Sequence, residues 1–476
     1  MAIRRTKIIC TLGPASSSPE VVDALVREGM DVARINMSHG TYEDHEAIIT
    51  RVRESADRHD RPVAVLVDLQ GPRIRVGDLA EPLELTVDHR VELVPDGRAG
   101  PGQIPTTFSP LVRDLSPGDT VLLDDGRIEL ECLESEEGDE KAVLQVIRGG
   151  LLESHKGMNV PGVRIRESSL TEKDLEDLEL ALEWKADFIG LSFVRGASDV
   201  EELRKRTDGS PLLVAKIEQA SALEAIDEIL EVSDAAMVAR GDLGVELPFE
   251  AVPLAQKSII QKANAWGRPV ITATQMLESM MDAPRPTRAE ASDVANALLD
   301  GTDAVMLSGE TATGKYPVES LQALVRIAGE IEESGLLDMG PHYALMPDGP
   351  DHEGATAREH AIAAAALESV FQLDAPAVIV ITRSGFSARL VSSYRPPVPV
   401  YGVCTEPRVH RQLAAVWGVR PALSAREEVT YEDLTDFGCR MVLEDGTGRE
   451  GDSVVVTAGI PFHVSGTTNT LRIETL

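Results

Sequence analysis

Three things are scarce in this chain, and each scarcity removes a class of protein. No apolar run approaches the ~20 residues that cross a bilayer, although 43% of the 476 residues are apolar, enough for a large core. Cysteine is rare: Cys10, Cys132, Cys404 and Cys439 lie far apart, with no Cys-x-x-Cys pair. The N-terminal MAIRRTKIICTLGPAS runs straight into strand-like sequence, with no signal-peptide pattern. A reduced, cytoplasmic protein is expected. Positive charge is the third shortage. Against 79 Asp and Glu stand 46 Lys and Arg, only about ten of them lysine, for a net charge of −33. That balance excludes nucleic acid and anionic membranes as partners, since both are recognised through basic side chains. The acids are spread along the whole chain, so they form an acidic surface rather than a tail. Adaptation to a salt-rich cytoplasm, where screening makes such self-repulsion tolerable, is the expectation they raise.

What is present centres on residues 212–242. Two apolar strands, Leu212–Ala215 and Ala235–Ala239, flank a helix expected over Ser221–Leu230. Lys216 and Glu218 follow the first strand; Arg240, Gly241 and Asp242 follow the second. Short continuous apolar strands separated by helices suit a parallel sheet, whose strand C-termini open on one functional face. Glu218 and Asp242 should therefore meet in space. Two hard carboxylates suit Mg²⁺ (or Mn²⁺), with Lys216 as a fixed cation aimed at the anion the metal holds.

Eight strand-like runs recur with amphipathic helices between them: Lys7–Thr11, Val32–Asn36, Val63–Asp68, Phe188–Phe193, Leu212–Lys216, Ala235–Arg240, Val270–Thr274 and Ala304–Ser308. The fold class expected is α/β, a closed (β/α)₈ barrel of the TIM type. Nearly a hundred residues, Gly- and Pro-rich with alternating segments such as RVELV and RIELECL, interrupt it after the third strand. They read as an inserted all-β, barrel-like lid domain. A loose stretch after Ile331 reads as a linker, and a small α/β domain with an open sheet follows. The boundaries expected are 1–71 with 169–340 for the barrel, 72–168 for the lid and 345–476 for the C-terminal domain.

The strand ends carry TKIICTLGPAS, ARINMSHG, DLQGPRIR, SFVR, AKIEQ, VARGDLGVELP, ITATQMLESMMDAPRPTRAEASDVANA and MLSGETATGKYP. With DDG and SHKGMNVPG in the insertion and SGTTNTLR near the end, the chain resembles pyruvate kinases almost throughout, in the compact three-domain form. The resemblance implies phosphoryl transfer from phosphoenolpyruvate to ADP, giving pyruvate and ATP. By resemblance, Glu218 and Asp242 hold Mg²⁺. Lys216 stabilises the transferring group, Arg34 clamps phosphate, and the N–H groups of Gly241 and Asp242 hold the substrate carboxylate. Thr274 relays the proton to the enolate carbon, with Ser308 and Glu310 completing the relay. Asn36, His39, Arg75, Lys156 and Asp125 face the nucleotide.

Departures from the family pattern fall in DLQGPRIRV. Asn36, Ser38, Asp68 and the Leu69 carbonyl match a monovalent-cation pocket, but Arg73 stands where K⁺-dependent members resemble Glu. Its charge is expected to replace K⁺, so that K⁺ is not strictly required. Gln219 replaces the usual Asn without evident consequence. The resemblance also implies a homotetramer, and a phosphorylated effector at the Thr382–Ser387 turn, where a strand meets a helix. Two other readings compete: a Mg²⁺-dependent lyase or aldolase acting on a pyruvate enolate, and a catalytically silent metabolite sensor.

Overall fold

A computed structural model of the chain describes residues 4–135, 141–163, 169–339, 355–425, 430–460 and 468–476. Most of the expected linker lies outside the described residues, as does the start of SGTTNTLR.

Eight parallel strands close into a barrel: Lys7–Thr11, Val32–Asn36, Ala64–Asp68, Phe188–Leu191, Leu212–Ile217, Ala235–Ala239, Val270–Ala273 and Ala304–Leu307. Neighbours in sequence are neighbours in the ring, and the eighth pairs with the first. Alternate side chains of each strand join two separate apolar clusters, as a period of two requires. Ile9, Val32, Leu66, Phe188, Val214, Met237, Ile271 and Met306 belong to one, whereas Ile8, Ala33, Val65, Ile189 and Val238 pack with the surrounding helices. Helix Glu172–Glu183 starts at a capping box, in which Thr171 Oγ1 and Asp174 exchange bonds with each other's backbone N–H groups. The helix expected over Ser221–Leu230 is instead two, Ala220–Glu224 and Ile226–Val232, broken at Ala225. The sixth strand ends at Ala239, and Arg240 already opens a helix, Arg240–Glu246.

The floor of the barrel carries a repeated device. Asp31, Asp187, Asp234 and Asp303 each immediately precede an even-numbered strand. Their backbone N–H groups donate to the carbonyls of Ile8, Val65, Leu213 and Val270 on the preceding odd strands, at 2.9–3.0 Å. Their carboxylates accept the N–H groups of those same four residues, at 2.8, 2.8, 2.9 and 3.0 Å. Each carboxylate also meets arginine. Arg4 and Arg61 reach Asp31, Arg53 and Arg411 reach Asp187, Arg204 reaches Asp234, and Arg395 forks onto Asp303 with two bonds of 3.1 Å. Each successive strand pair is thus clasped at its base.

Between the third and fourth strands, described segments form a six-stranded sheet and a separate two-stranded pair, Leu83–Leu85 with Gly150–Leu152. The C-terminal region forms a five-stranded sheet, parallel except for the edge strand Thr470–Thr475. It seats on the barrel floor: Arg395 and Arg411 reach the clasps, and Lys7 Nζ donates to the Val419 carbonyl at 2.8 Å.

Candidate active site

The strand C-termini open into a cavity of about 460 Å³, closed on its far side by the inserted sheet. Arg34, Asn36, Ser38, Lys216, Glu218, Asp242, Thr274 and Ser308 line it from the barrel; Arg73, Arg75, Asp125 and Lys156 line it from the insertion and its entry segment. Residues as far apart as Arg34 and Ser308 meet because each lies at or just past the C-terminal end of a strand of one closed ring.

At its base is a buried chain of alternating charges. Arg34 grips Asp68 through Nε at 2.7 Å and a terminal nitrogen at 2.6 Å, and donates to Thr11 Oγ1 at 2.9 Å. Lys216 Nζ sits 3.2 Å from Asp68 and 2.9 Å from Glu218, and donates to Ser192 Oγ at 2.6 Å. Burial works against the charge on Lys216, yet Asp68 and Glu218 outweigh it and hold its pKa above the ordinary value. Asp68 is held low in spite of burial by Lys216 and Arg34. Glu218, 2% exposed, is pushed up to about 7 by burial, with Lys216 pulling down and Asp242 pushing up. Glu218 and Asp242 offer only oxygen donors, which fits a hard divalent cation. Among the described residues there is no group of three or more His, Cys, Asp or Glu able to cage a metal, so such an ion would rest on two protein carboxylates.

Thr274 adopts φ +63° and Gln275 φ +53°, a conformation rare for non-glycine residues and most strained for a β-branched one. Arg240 braces this kink by donating to the Ala273, Thr274 and Gln275 carbonyls, at 3.3, 2.7 and 3.2 Å. Thr274 Oγ1 accepts the Gly241 N–H at 2.7 Å and donates to the Ala273 carbonyl at 2.7 Å. The N–H expected to hold a substrate carboxylate is therefore engaged by the residue expected to relay the proton. Glu310 is placed differently from its expected relay role. Its carboxylate is fixed by the N–H groups of Leu277 (3.0 Å) and Ser308 (2.7 Å), whereas Ser308 Oγ is buried in the cavity wall without a hydrogen-bond partner.

In the insertion, Lys156 pairs with Asp124 at 2.9 Å, and Asp125 lines the cavity beside them. His39 is exposed just outside the rim, its pKa lowered first by burial and then by Arg73, Arg75 and Arg34. In the expected monovalent-cation pocket, Asn36 Oδ1 accepts the Ser38 N–H at 3.2 Å, Asp68 is taken by two cations, and the Leu69 carbonyl accepts the Ser192 hydroxyl at 2.7 Å. Arg73 lines the same cavity, half-buried, with burial and then Arg75 lowering its pKa against Asp242, Glu218 and Asp68. Several lining residues were not singled out from the sequence, Ser192 and Glu246 among them. Ser192 lies in SFVR, which marked the strand end without showing its partner; Glu246, pushed up to about 7 chiefly by burial, lies in GDLGVELP.

The chain matches two family models, the pyruvate kinase barrel domain over residues 3–321 and the pyruvate kinase alpha/beta domain over 360–474. It is 42% identical over 477 residues to a pyruvate kinase of Bacillus licheniformis, and 43% identical over 479 residues to one of Geobacillus stearothermophilus. Each alignment covers 99% of this chain and 80% of the relative. A crystal structure of a pyruvate kinase from Cryptosporidium parvum superposes with a TM-score of 0.90 at 35% identity, covering 99% of this chain and 96% of that one.

Proposed function

The chain belongs to the pyruvate kinase family, phosphotransferases that pass the phosphoryl group of phosphoenolpyruvate to ADP, and from that premise we propose how its own residues divide the work. The observation that carries the proposal is the Arg34–Asp68–Lys216–Glu218 chain, buried at the bottom of one cavity. Phosphoryl transfer is mostly positioning and neutralisation of charge spread over phosphoryl oxygens. Arg34 presents its planar fork to the phosphate, oriented by Asp68 and Thr11. Lys216 faces the transferring group and the enolate oxygen left behind, its ammonium held charged by two carboxylates. A Mg²⁺ (or Mn²⁺) bound by Glu218 and Asp242 would supply Lewis-acid neutralisation of carboxylate and phosphoryl oxygens. The substrate carboxylate takes the N–H groups of Gly241 and Asp242, displacing Thr274 Oγ1. The Thr274 hydroxyl, with Ser308, then faces the enolate carbon and passes it a proton through water. Asn36, His39, Arg75, Lys156 and Asp125 face ADP, and closure of the insertion excludes water that would otherwise take the phosphoryl group.

The occupied Asp68 and Leu69 oxygens, together with Arg73, support catalysis without K⁺. We also assign a homotetramer, supported by the exposed apolar Phe249 and Leu254 beside the active-site helix. A phosphorylated effector is assigned to the Thr382–Ser387 turn, where Gly385 takes φ +79° and donates its N–H to Thr382 Oγ1. No described helix is long and apolar enough to cross a membrane, which agrees with the cytoplasmic setting proposed. The deciding experiment is a coupled phosphoenolpyruvate/ADP assay with Mg²⁺, in K⁺, Na⁺ and tetramethylammonium salts at matched ionic strength, with sugar phosphates added in turn. Pyruvate formation that needs ADP and Mg²⁺ but not K⁺ is expected; ADP-independent pyruvate release would favour a lyase.

A further inference from the structure

The elbow just past the fourth strand touches two members of the buried charge chain, Lys216 and Glu218. Ser192, 2% exposed, accepts a hydrogen bond from Lys216 Nζ at 2.6 Å and donates one to the Leu69 carbonyl at 2.7 Å. Phe193, next in sequence, adopts φ +54° and donates its N–H to Glu218 Oε2 at 2.6 Å. A left-handed phenylalanine persists only where its surroundings over-determine it. Those surroundings are tight. Gly71, at the entry to the insertion, lies so close that a Cβ there would meet Phe193 Cδ2 at 2.8 Å and Ser192 Cβ at 3.0 Å.

The geometry points to the Ser192–Phe193 elbow as a positioning element that pre-sets both the Lys216 ammonium and the Glu218 carboxylate. Carboxylates alone leave a lysine on a flexible stem free to swing between Asp68 and Glu218, and a neutral acceptor at a third corner fixes its direction. The Ser192 hydroxyl has one proton, which goes to Leu69, so its lone pairs are left facing Lys216. The same strained turn aims the Phe193 N–H at the carboxylate two residues further along the fifth strand. Lysine and carboxylate therefore keep a fixed separation before substrate arrives, which is the preorganisation that charge-stabilising catalysis needs.

This inference rests on the phosphotransferase reading above, and its test separates the two. Ser192→Ala and Ser192→Cys remove the good acceptor at little change of volume; Ser192→Thr keeps it. In the phosphoenolpyruvate/ADP assay, the Ala and Cys variants are expected to lose kcat by roughly 10- to 100-fold, the scale for a hydrogen bond to a charged group. KM for both substrates should stay within about twofold, and the Thr variant should regain most of the rate. The Cys variant decides if the Ala variant does not fold by circular dichroism. A folded Ala or Cys variant keeping more than half of the wild-type kcat would overturn the inference, as would a loss carried by KM alone or a Thr variant no better than Ala. Inactive wild-type protein would instead overturn the reading on which the inference rests.

Discussion

At the floor of the barrel every clasp carboxylate accepts a backbone N–H and meets at least one arginine, and Asp303 and Arg395 meet fork to fork at 4% and 7% side-chain exposure. At the mouth the same kinds of side chain are left incomplete. Asp68 Oδ1 lies 3.2 Å from Lys216 Nζ but makes no well-formed hydrogen bond, Ser308 Oγ has no partner, and Glu218 shares its lysine with Asp68. Left-handed backbone occurs at both ends, at Phe193, Thr274 and Gln275 in the mouth and at Arg395 on the floor, each costing on the order of 1–3 kcal/mol. A barrel whose floor carboxylates are all paired tolerates a mouth kept ready for something that is not protein. The difference lies less in residue type than in whether each carboxylate already has its partners.

The sharpest way to break this contrast is to remove a charge from each end and measure different things. Lys216→Met at the mouth should lower kcat roughly 10³-fold, equivalent to about 4 kcal/mol of transition-state stabilisation, with the folded circular-dichroism spectrum retained. An unchanged rate would return the metabolite-sensor reading. Asp303→Ala at the floor should do the reverse. It leaves Arg395 buried without its partner and should lower stability by about 3 kcal/mol in denaturant titrations. Its kcat per folded molecule should stay within about twofold of wild type if the two ends are independent. A smaller effect is expected from Arg73→Glu, which removes the cation at the pocket edge. Activity should then differ about tenfold between K⁺ and tetramethylammonium salts, whereas a wild-type enzyme that strictly needs K⁺ would contradict the role given to Arg73.

The smallest effect is a pH dependence. Burial works to raise the pKa of Asp31, but Arg4, Arg61, Lys7 and the Ile8 N–H hold it below its ordinary 3.8. A carboxylate depressed in the folded state contributes stability that is whole above its unfolded pKa and is lost as pH falls through the folded one. The stability gap between wild type and Asp31→Asn should therefore be constant near neutrality and close only in acid, below about pH 4. A gap that closed above pH 5 would show Asp31 not to be held by its arginines.

Much of the barrel was legible because apolar runs ending in polar residues mark its strands directly: Lys7–Thr11 and Val32–Asn36 lie where the sequence placed them. Lys216, Glu218, Asp242 and Arg34 could be picked out for the same reason, since they sit at or shortly after the C-terminal ends of strands in a ring. The clasps were also written in the chain, as MDVAR, ADFIG, SDAAM and TDAVM, but an aspartate just outside an apolar run looks like a solvated turn until its partner is known. Those partners are remote, with Arg395 92 residues from Asp303 and Arg411 224 from Asp187, and no local pattern announces them. Glu310 misled for a related reason. Its carboxylate reads as an acid near the reaction, whereas two neighbouring backbone N–H groups use both of its oxygens.

The base of the third and fourth strands bears on how the chain accommodates its long excursion. A segment of about 120 residues separates these two strands, against a few dozen or fewer between the others, so their register is the hardest for the chain to find. It is firmly tied all the same: Asp187 gathers Arg53, Arg411 and the Val65 N–H, and its carbonyl accepts from Gln412. Because the seam is sewn at the end of the barrel away from where the excursion leaves and returns, that excursion is free to rock without unpicking the strands beneath it.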